Sequence, residues 1–463
     1  MEEETSNLFP ELPGGKVKRE DKVVTRETAR VLLPNRDQIE LRASDLESLL
    51  PEGHRARLVW AYVTRLDLNG LYAQIKASEG TAGRSRIAPE ILLALWLYAT
   101  LEAVGSARQL ARLCDCHDAY RWICGGVPVN YHTVADFRVE HGEILDGILT
   151  VSVANLLEAG AVKLKRVAQD GMRVRASAAA SSFRRRPKLE ECLEQAKRQV
   201  EALKEEVAAD PAAETRRVRA GKERAARERQ EKIERALKRL PEIEEAKRKQ
   251  GKPVEQARAS MTDAEATVMK MADGGFRPAY NAQFCSDTES LVIVGVEVVT
   301  SGSDMGQMVP MVEQIEARYD TVADQYLVDG GYPSHAQIDA VSDRCEVYAP
   351  VPKATEKKDS KDDANAKPDQ YAPRPDDSQA VAAWRTRMST DEAQAIYKDR
   401  AATAECVNAH ARERGLTRFR VRGLKKIRSV LMIFAIAHNL MRTVALAPQL
   451  LGLASPVAAG ISP

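Results

Sequence analysis

A carboxylate inside a strand-like run is the feature that most constrains the fold of this chain. Residues 165–176 read KRVAQDGMRVRA, with Asp170 at the centre of an otherwise β-compatible pattern. Asp is depleted in strands and an unpaired buried charge is costly, so a lone Asp here would ordinarily be a solvated edge residue. A second run, QYLVD at 325–329, also ends on an Asp beside glycines. Together the two runs predict that Asp170 and Asp329 are delivered to one place.

Composition limits the class of protein. The 463 residues allow roughly two to four domains. Net charge is only +2, so overall charge does not indicate a nucleic-acid partner, and the local basic patches matter more. An odd number of mostly distant cysteines argues against a disulfide framework. The acidic N-terminus lacks the apolar core of a signal peptide, and the longest apolar run, 91–101, is too short to cross a bilayer. We therefore expect a soluble intracellular protein.

The first third of the chain is predicted to be helical. Over 45–160, apolar residues recur at helical spacing in short runs, after an N-terminal extension at 1–44. The arginines among these helices could present a helix to DNA, but an ordinary helical domain with solvated arginines is the more common explanation of such a pattern. A zinc site is suggested by the cluster Cys114, Cys116, His117, Cys124 and His132. Their C-x-C spacing suits a zinc knuckle poorly and no second pair follows, which favours structural cysteines.

The composition shifts abruptly after the basic run RRRPK at 184–188. Apolar residues then recur in alternating steps of four and three on a charged helix, which is a heptad seam. A second charged stretch follows over 216–249. We predict an antiparallel helical hairpin, of coiled-coil type, inserted over 188–255. It is either a solvated spacer arm or an arm used for dimerisation or for clamping DNA.

Strand patterns resume after the hairpin. The catalytic-type domain is predicted over 161–187 and 256–447, with the element order three strands, helix, strand, helix, strand, long helix. Aspartates lie on the first and fourth strands and Glu405 on the closing helix, which is the order of an RNase-H-like mixed-sheet α/β domain. A segment poor in apolar residues at 353–385 is predicted as a mobile loop, and 448–463 as a disordered tail.

Seven segments of the chain together carry a resemblance to a known family. They are GSARQLARLCDCHDAYRWICGG at 105–126, NYHTVADFR at 130–138, QDGMRVRASA at 169–178, YNAQFCSDTESLVIVGVEVV at 280–299, LVDGGY at 327–332, YKDRAATAECVNAHARERGLTRFRVRGLKKI at 397–427 and AIAHNLMR at 435–442. In this order they resemble bacterial insertion-sequence transposases of the DDE type, in the branch with a helical N-terminal domain. The likeness spans most of the chain.

The resemblance implies a catalytic and metal-binding triad of Asp170, Asp329 and Glu405. These carboxylates would hold two Mg²⁺ ions, for which Mn²⁺ can substitute, with Asp170 bridging both ions. Tyr397, Arg400 and Glu405 match the family's Tyr-Arg-Glu signature, with Glu five residues after Arg in this chain.

The same resemblance implies a reaction. Water would cut the ends of an insertion sequence, and the freed 3′-OH would attack target DNA. The partners would be the terminal inverted repeats and a target duplex, bound by a homodimer or higher oligomer, in a nucleoid-associated cytoplasmic setting. The alternatives are a transposase-derived, non-catalytic DNA-binding protein and a Mg²⁺-dependent nuclease without strand transfer.

DNA affinity should come mainly from phosphate contacts by clustered basic residues, and we expect the helical domain at 45–160 to bind the DNA ends. Arg412 stands where many relatives have Lys. Asn281 and Gln283 are predicted to support the site from a second layer, and Asp287 and Asp304 are taken as bystanders. The candidate DNA-binding residues are Tyr397, Arg400, Arg412, Arg184, Arg185, Arg186, Arg418, Arg420, Arg422, Lys425 and Lys426.

Overall fold

Local signals in the sequence account for the N-terminal helices. In the computed structural model, residues 45–75, 85–209, 216–249, 251–353 and 369–453 are described, so the predicted extension at 1–44 lies outside them. Pro89 opens a helix at its first turn, and Ser106 caps the next by accepting a hydrogen bond from Gln109 N. The helices are α1 Arg55–Val63, α2 Asn69–Tyr72, α3 Pro89–Leu101, α4 Ala107–Cys116, α5 Asp118–Cys124, α6 Tyr131–Glu140 and α7 Gly142–Glu158.

Two long charged helices follow, α8 Arg186–Ala209 and α9 Arg216–Lys249. They run antiparallel, because Arg186 near the start of α8 pairs with Glu244 near the end of α9. Pro241 lies inside α9 without ending it. Their shared apolar core consists of Leu189, Cys192, Ala196, Ile233, Ala236 and Leu240, together with Ala257 and Ala259. We name this pair of helices the arm.

A mixed six-stranded sheet lies at the centre of the remaining chain. From one edge its order is β6, β5, β1, β7, β8, with β4 also pairing along the outer side of β5. β1 pairs antiparallel with β5 and parallel with β7, which brings the two Asp-bearing segments side by side. The strands are β1 Arg166–Arg175, β2 Phe183–Arg184, β3 Ala259–Ser260, β4 Thr267–Lys270, β5 Phe276–Asp287, β6 Ile293–Val299, β7 Gln325–Leu327 and β8 Glu346–Tyr348, of which β2 and β3 form a separate pair.

Helices pack on this sheet and join it to the N-terminal helices. They are α10 Met308–Tyr319, α11 His335–Val341, α12 Gln379–Met388, α13 Asp391–Glu413 and α14 Leu424–Leu446. α13 lies against β1, and α14 packs against β6 and against α3, α6 and α7. Among the described residues, α14 is the one helix long and apolar enough to cross a membrane, but most of it is buried inside the protein.

Two predicted irregular segments are partly ordered. The loop predicted over 353–385 overlaps α12, where Trp384 and Arg385 are buried, so that part of the prediction is wrong. Ser378 caps α12, and the spacing of Val381, Trp384 and Met388 is the apolar signal that was missed. The tail predicted over 448–463 begins with a 3₁₀ turn, Pro448–Leu451. Residues 354–368 and 454–463 lie outside the described residues.

Candidate active site

Asp170 projects from the middle of β1, the central strand. Successive side chains of a strand point to opposite faces, so Asp170 faces away from its neighbours Gln169 and Gly171. On its own face it meets α13. Arg400 donates from Nη2 to Asp170 Oδ1 at 2.9 Å, and Asn408 donates from Nδ2 to Asp170 Oδ2 at 2.8 Å. Both oxygens of this carboxylate therefore have partners on one helix.

Asp329 reaches the same place from the neighbouring strand. β7 ends at Leu327, which pairs with Ala168, so the chain two residues later stands beside Asp170. Asp329 Oδ1 accepts a hydrogen bond from Gly331 N at 2.8 Å, which fixes the turn. Its Oδ2 lies 3.6 Å from Arg400 Nη2. One guanidinium thus bridges the two aspartates, as expected for two carboxylates brought to one site.

The electrostatics of Asp170 follow from this placement. Burial raises the pKa of the Asp170 carboxyl above its ordinary value, the Arg400 guanidinium opposes that rise, and the Asp329 carboxylate adds to it. Tyr397, half-buried beside Arg400, has its phenol pKa raised chiefly by burial. The Arg400 Nε is buried and makes no hydrogen bond with the described residues. The site is therefore a pair of carboxylates whose mutual repulsion is relieved by one positive charge, the guanidinium of Arg400.

The structure does not bring Glu405 to this pair. An α-helix turns by about 100° per residue, so Glu405 lies about 140° around α13 from Arg400. Ala404 and Asn408 face the sheet and are buried, whereas Glu405 is exposed and makes no hydrogen bond or ion pair with a described residue. Asn408 was not singled out from the sequence, and its spacing of eight from Arg400, about two helical turns, is the signal that could have found it.

The donor atoms of this pair suit a hard divalent cation. Mg²⁺ is commonly held by one or two carboxylates, with water and substrate phosphate completing its shell. Asp170 and Asp329 offer those two carboxylates where solvent can reach them, since their side chains are 23% and 39% exposed. Within the described residues no group of three His, Cys, Asp or Glu side chains is close enough to hold a metal. The residues present therefore fit two protein ligands rather than three.

A buried polar cluster lies on the opposite face of β1. Asp304, 9% exposed, accepts hydrogen bonds on Oδ1 from Asn281 at 2.6 Å and Gln283 at 2.8 Å. Its Oδ2 pairs with Arg173 at 3.0 Å. Asn281 and Gln283 thus surround Asp304, and not Asp170 as predicted, so Asp304 is no bystander but the centre of this cluster. A Cβ at Gly171 would lie 2.2 Å from Asp304 Oδ1, so only glycine fits between this cluster and the backbone beside Asp170.

Tyr332 links that cluster to the Asp329 turn. Its hydroxyl donates to Gln283 Oε1 at 2.6 Å, and its ring is fully buried. Burial, followed by the charges of Asp304, Asp170 and Asp329, raises the pKa of this phenol well above its ordinary range. Tyr332 therefore connects the turn that carries Asp329 to the polar cluster on the opposite face of β1.

The predicted DNA-binding residues fall into three groups. Tyr397 and Arg400 belong to the carboxylate site itself. Arg186 makes a two-oxygen contact with Glu244 of the arm, and its contact with DNA stays a prediction. The remaining candidates make no ion pair with a described residue and are exposed or half-buried: Arg184, Arg185, Arg412, Arg418, Arg420, Arg422, Lys425 and Lys426.

Comparison with known families gives two matches. A family described as "Transposase domain (DUF772)" matches residues 44–140, which hold α1 to α6. A family described as "Transposase DDE domain" matches residues 355–444, which hold α12, α13 and most of α14. The second match contains Arg400 and Asn408 but not Asp170 or Asp329. No curated protein and no solved structure matches the chain.

Proposed function

The two matches indicate an insertion-sequence transposase of the DDE type, and from this premise we propose that the chain cuts the ends of its element and joins the 3′-OH to target DNA. Such a domain implies an RNase-H-like fold and a family that generally uses divalent metals and acts on DNA. The observation that carries the proposal is the pairing of Asp170 with Asp329 through Arg400, on the face of the sheet that α13 covers.

Asp170 and Asp329 are the proposed metal ligands. A divalent cation bound there would activate the attacking water and relieve charge on the leaving oxygen. Asn408 fixes the orientation of the Asp170 carboxylate by donating to Oδ2. Arg400 neutralises the pair in the protein alone, and the same guanidinium is positioned to contact a phosphate once a cation takes over that neutralisation.

Glu405 remains the proposed third carboxylate, on the resemblance. It shares α13 with Arg400 and Asn408, and about 60° of helix rotation separates it from Asn408. Its carboxylate has no hydrogen bond or ion pair with a described residue, so no existing contact must break for it to be recruited when DNA binds. We propose that it joins the site in the DNA complex.

The decisive experiment incubates the full chain with duplexes carrying the element's terminal inverted repeats, Mg²⁺ and a target plasmid. Joined products are expected from the wild type, and neither cut nor joined products from Asp329→Asn. Cutting without joining would favour a Mg²⁺-dependent nuclease, and binding alone a non-catalytic DNA-binding protein. Retained cutting by Asp329→Asn would refute the assignment of this site. Glu405→Gln is expected to lose cutting to a similar extent, and near-normal cutting would remove Glu405 from the triad.

A further inference from the structure

A large cleft separates the arm from the rest of the protein. Its volume is about 1030 Å³, and it is walled by α9 of the arm, by α6 of the N-terminal helices and by the segment 420–426 that leads into α14. Eight basic and five acidic residues line it, so the charge available to a ligand depends on which of these residues pair with each other. None of the carboxylates of the proposed active site is among them.

Most of the acidic residues in the cleft are already engaged. Glu242 pairs with Arg239, and Glu228 pairs with Lys232 at 3.3 Å. Glu265 accepts a hydrogen bond from Leu424 N at 2.8 Å. Asp263 is 3% exposed and accepts from Tyr280 on Oδ1, while its Oδ2 has no partner among the described residues. Asp136 on α6 is exposed, and neither it nor Asp263 or Glu265 forms an ion pair with a described residue. The walls therefore keep some negative charge, but three more basic than acidic residues line the cleft, which favours an anion.

Both walls carry basic side chains that have no ion-pair partner among the described residues. On the arm these are Arg235 and Lys238, which are exposed; Arg235 Nε donates only to the backbone oxygen of Glu231, at 3.3 Å. The opposite face of α9 buries Ile233, Ala236 and Leu240 against α8, so helix geometry turns this basic stripe toward the cleft. Arg420 and Lys426 stand on the facing wall, and are likewise exposed without an ion pair.

Arg138 is a second, independent observation that points to an anion as the ligand of the cleft. It is 8% exposed and stacks on Trp96, and its only hydrogen bond among the described residues is from Nη1 to Gly105 O, which leaves the buried Nε unpartnered. Arg420 lies close enough that burial and this like charge lower the pKa of Arg138 to about 10. A buried arginine with no counter-ion beside a second arginine is costly unless an anion arrives.

From the converging uncommitted cations and the unpaired buried Arg138, we infer that this cleft binds the sugar-phosphate backbone of duplex DNA, and that the arm serves as a DNA clamp. Phosphate oxygens suit these donors, because arginine and lysine make most backbone contacts in protein–DNA complexes. This inference rests on the proposed function only in taking DNA as the ligand. It assigns to the arm a role that neither domain match covers.

The position of the cleft relative to Asp170 fits a single duplex reaching both. Ser177, which lines the cleft, follows Asp170 by seven residues, of which the first five, up to Arg175, lie in β1. At about 3.3 Å per residue, seven extended residues span at most roughly 23 Å. That length corresponds to about seven base pairs, at 3.4 Å for each phosphate along a strand. Backbone protection is therefore expected within about seven base pairs of the cut.

The test compares two double variants of α9 that each remove two charges. Arg235→Gln/Lys238→Gln alters the cleft wall, and Arg224→Gln/Lys247→Gln is the matched control outside it. Binding to a duplex without Mg²⁺ is followed by fluorescence anisotropy over a range of salt concentrations. The cleft variant is expected to lose about 1.8 from the slope of log K against log salt, which is roughly 60-fold in affinity at 0.1 M salt. The control should bind nearly as the wild type does.

A second measurement uses the unaltered protein. Lysine acetylation with and without duplex DNA should show protection of Lys238 and Lys426 but not of Lys247. Equal losses in both double variants, or wild-type binding by the cleft variant, would overturn the inference, as would acetylation of Lys238 unaffected by DNA.

The outcomes separate this inference from the proposed function. Duplex binding that depends on the cleft in a protein that never cuts would retain the clamp and reject the transposase chemistry. If the protein cuts normally and the cleft variant binds DNA as the wild type does, the transposase chemistry is retained and the clamp is rejected.

Discussion

Two carboxylates lie on opposite faces of β1 and have opposite surroundings. Asp304 is nearly buried and fully paired, with Asn281 and Gln283 on one oxygen and Arg173 on the other. Asp170 is partly open to solvent, and its pKa is raised because burial outweighs the help it gets from Arg400. The first arrangement leaves no coordination position vacant, so it stabilises the fold. The arrangement around Asp170 leaves two neighbouring carboxylates, Asp170 and Asp329, with only one arginine to balance them. Their excess negative charge favours binding of a cation.

The largest expected effect separates these two roles. Asp170→Asn should reduce Mg²⁺-dependent cutting by roughly a thousandfold or more, since a metal contributes several kcal/mol to such a transition state. Asp304→Asn should instead lower the free energy of unfolding by about 2 kcal/mol, because an amide nitrogen would face Arg173. Cutting assays and urea denaturation of both variants check the pair. Loss of cutting in a folded Asp304→Asn protein would show that the two faces are not separate.

A substitution at Gly171 tests how tightly the Asp304 cluster packs against β1, on the face opposite Asp170. Gly171→Ala places a methyl group within 2.2 Å of Asp304 Oδ1, 2.4 Å of Gln283 Nε2 and 2.7 Å of Asn281 Oδ1. We expect a loss of about 3 kcal/mol in the free energy of unfolding, at the upper end for overpacking. Gly147→Ala in α7 is the control, because a Cβ there meets nothing within 4 Å. It should be neutral or slightly stabilising. Equal stabilities for the two variants in urea denaturation would contradict the packing argument.

Asn408 tests whether orientation of Asp170 matters. Asn408→Ala removes the donor to Asp170 Oδ2, and loss of such a supporting contact typically costs 10- to 100-fold in activity or metal affinity. The expected signature is a higher Mg²⁺ concentration for half-maximal cutting with an unchanged DNA affinity. Ala409, the exposed neighbour of Asn408, provides the control variant Ala409→Ser. An Asn408→Ala protein with the Mg²⁺ dependence of the wild type would refute this role.

The smallest expected effect is a pH dependence of stability. A raised pKa means that the folded protein holds the Asp170 proton more tightly than the unfolded chain does. Stability from this group is therefore present at low pH and is lost as the pH rises above the ordinary value of 3.8. Asp170→Asn cannot ionise, so its stability relative to wild type should increase from pH 4 to pH 7. Urea denaturation of both proteins across that range measures the difference between their free energies of unfolding. If the advantage of Asp170→Asn became smaller as the pH rose, the pKa of Asp170 would be lowered by folding and not raised.

The sequence alone predicted most of the helices and strands, and it singled out Asp170 and Asp329. Pro89, the Ser106 cap and helical apolar spacing act within one or two turns, so the N-terminal helices were predictable to within a few residues. Asp170 and Asp329 were visible because each stands out within its own strand-like run. α12 was missed because its short apolar pattern adjoins a polar segment.

Only the tertiary structure decided what surrounds those two residues. Arg400 and Asn408 meet Asp170 across more than two hundred residues of chain, through contacts that no local pattern encodes. The rotation of α13 is set by Ala404, Val407 and Ala411, which bury one face of the helix. Because each residue turns that helix by about 100°, the same packing that directs Asn408 inward leaves Glu405 exposed. Likewise, the charged arm was evident in the sequence, but its basic stripe faces a cleft only because packing on α8 fixes the opposite side of α9.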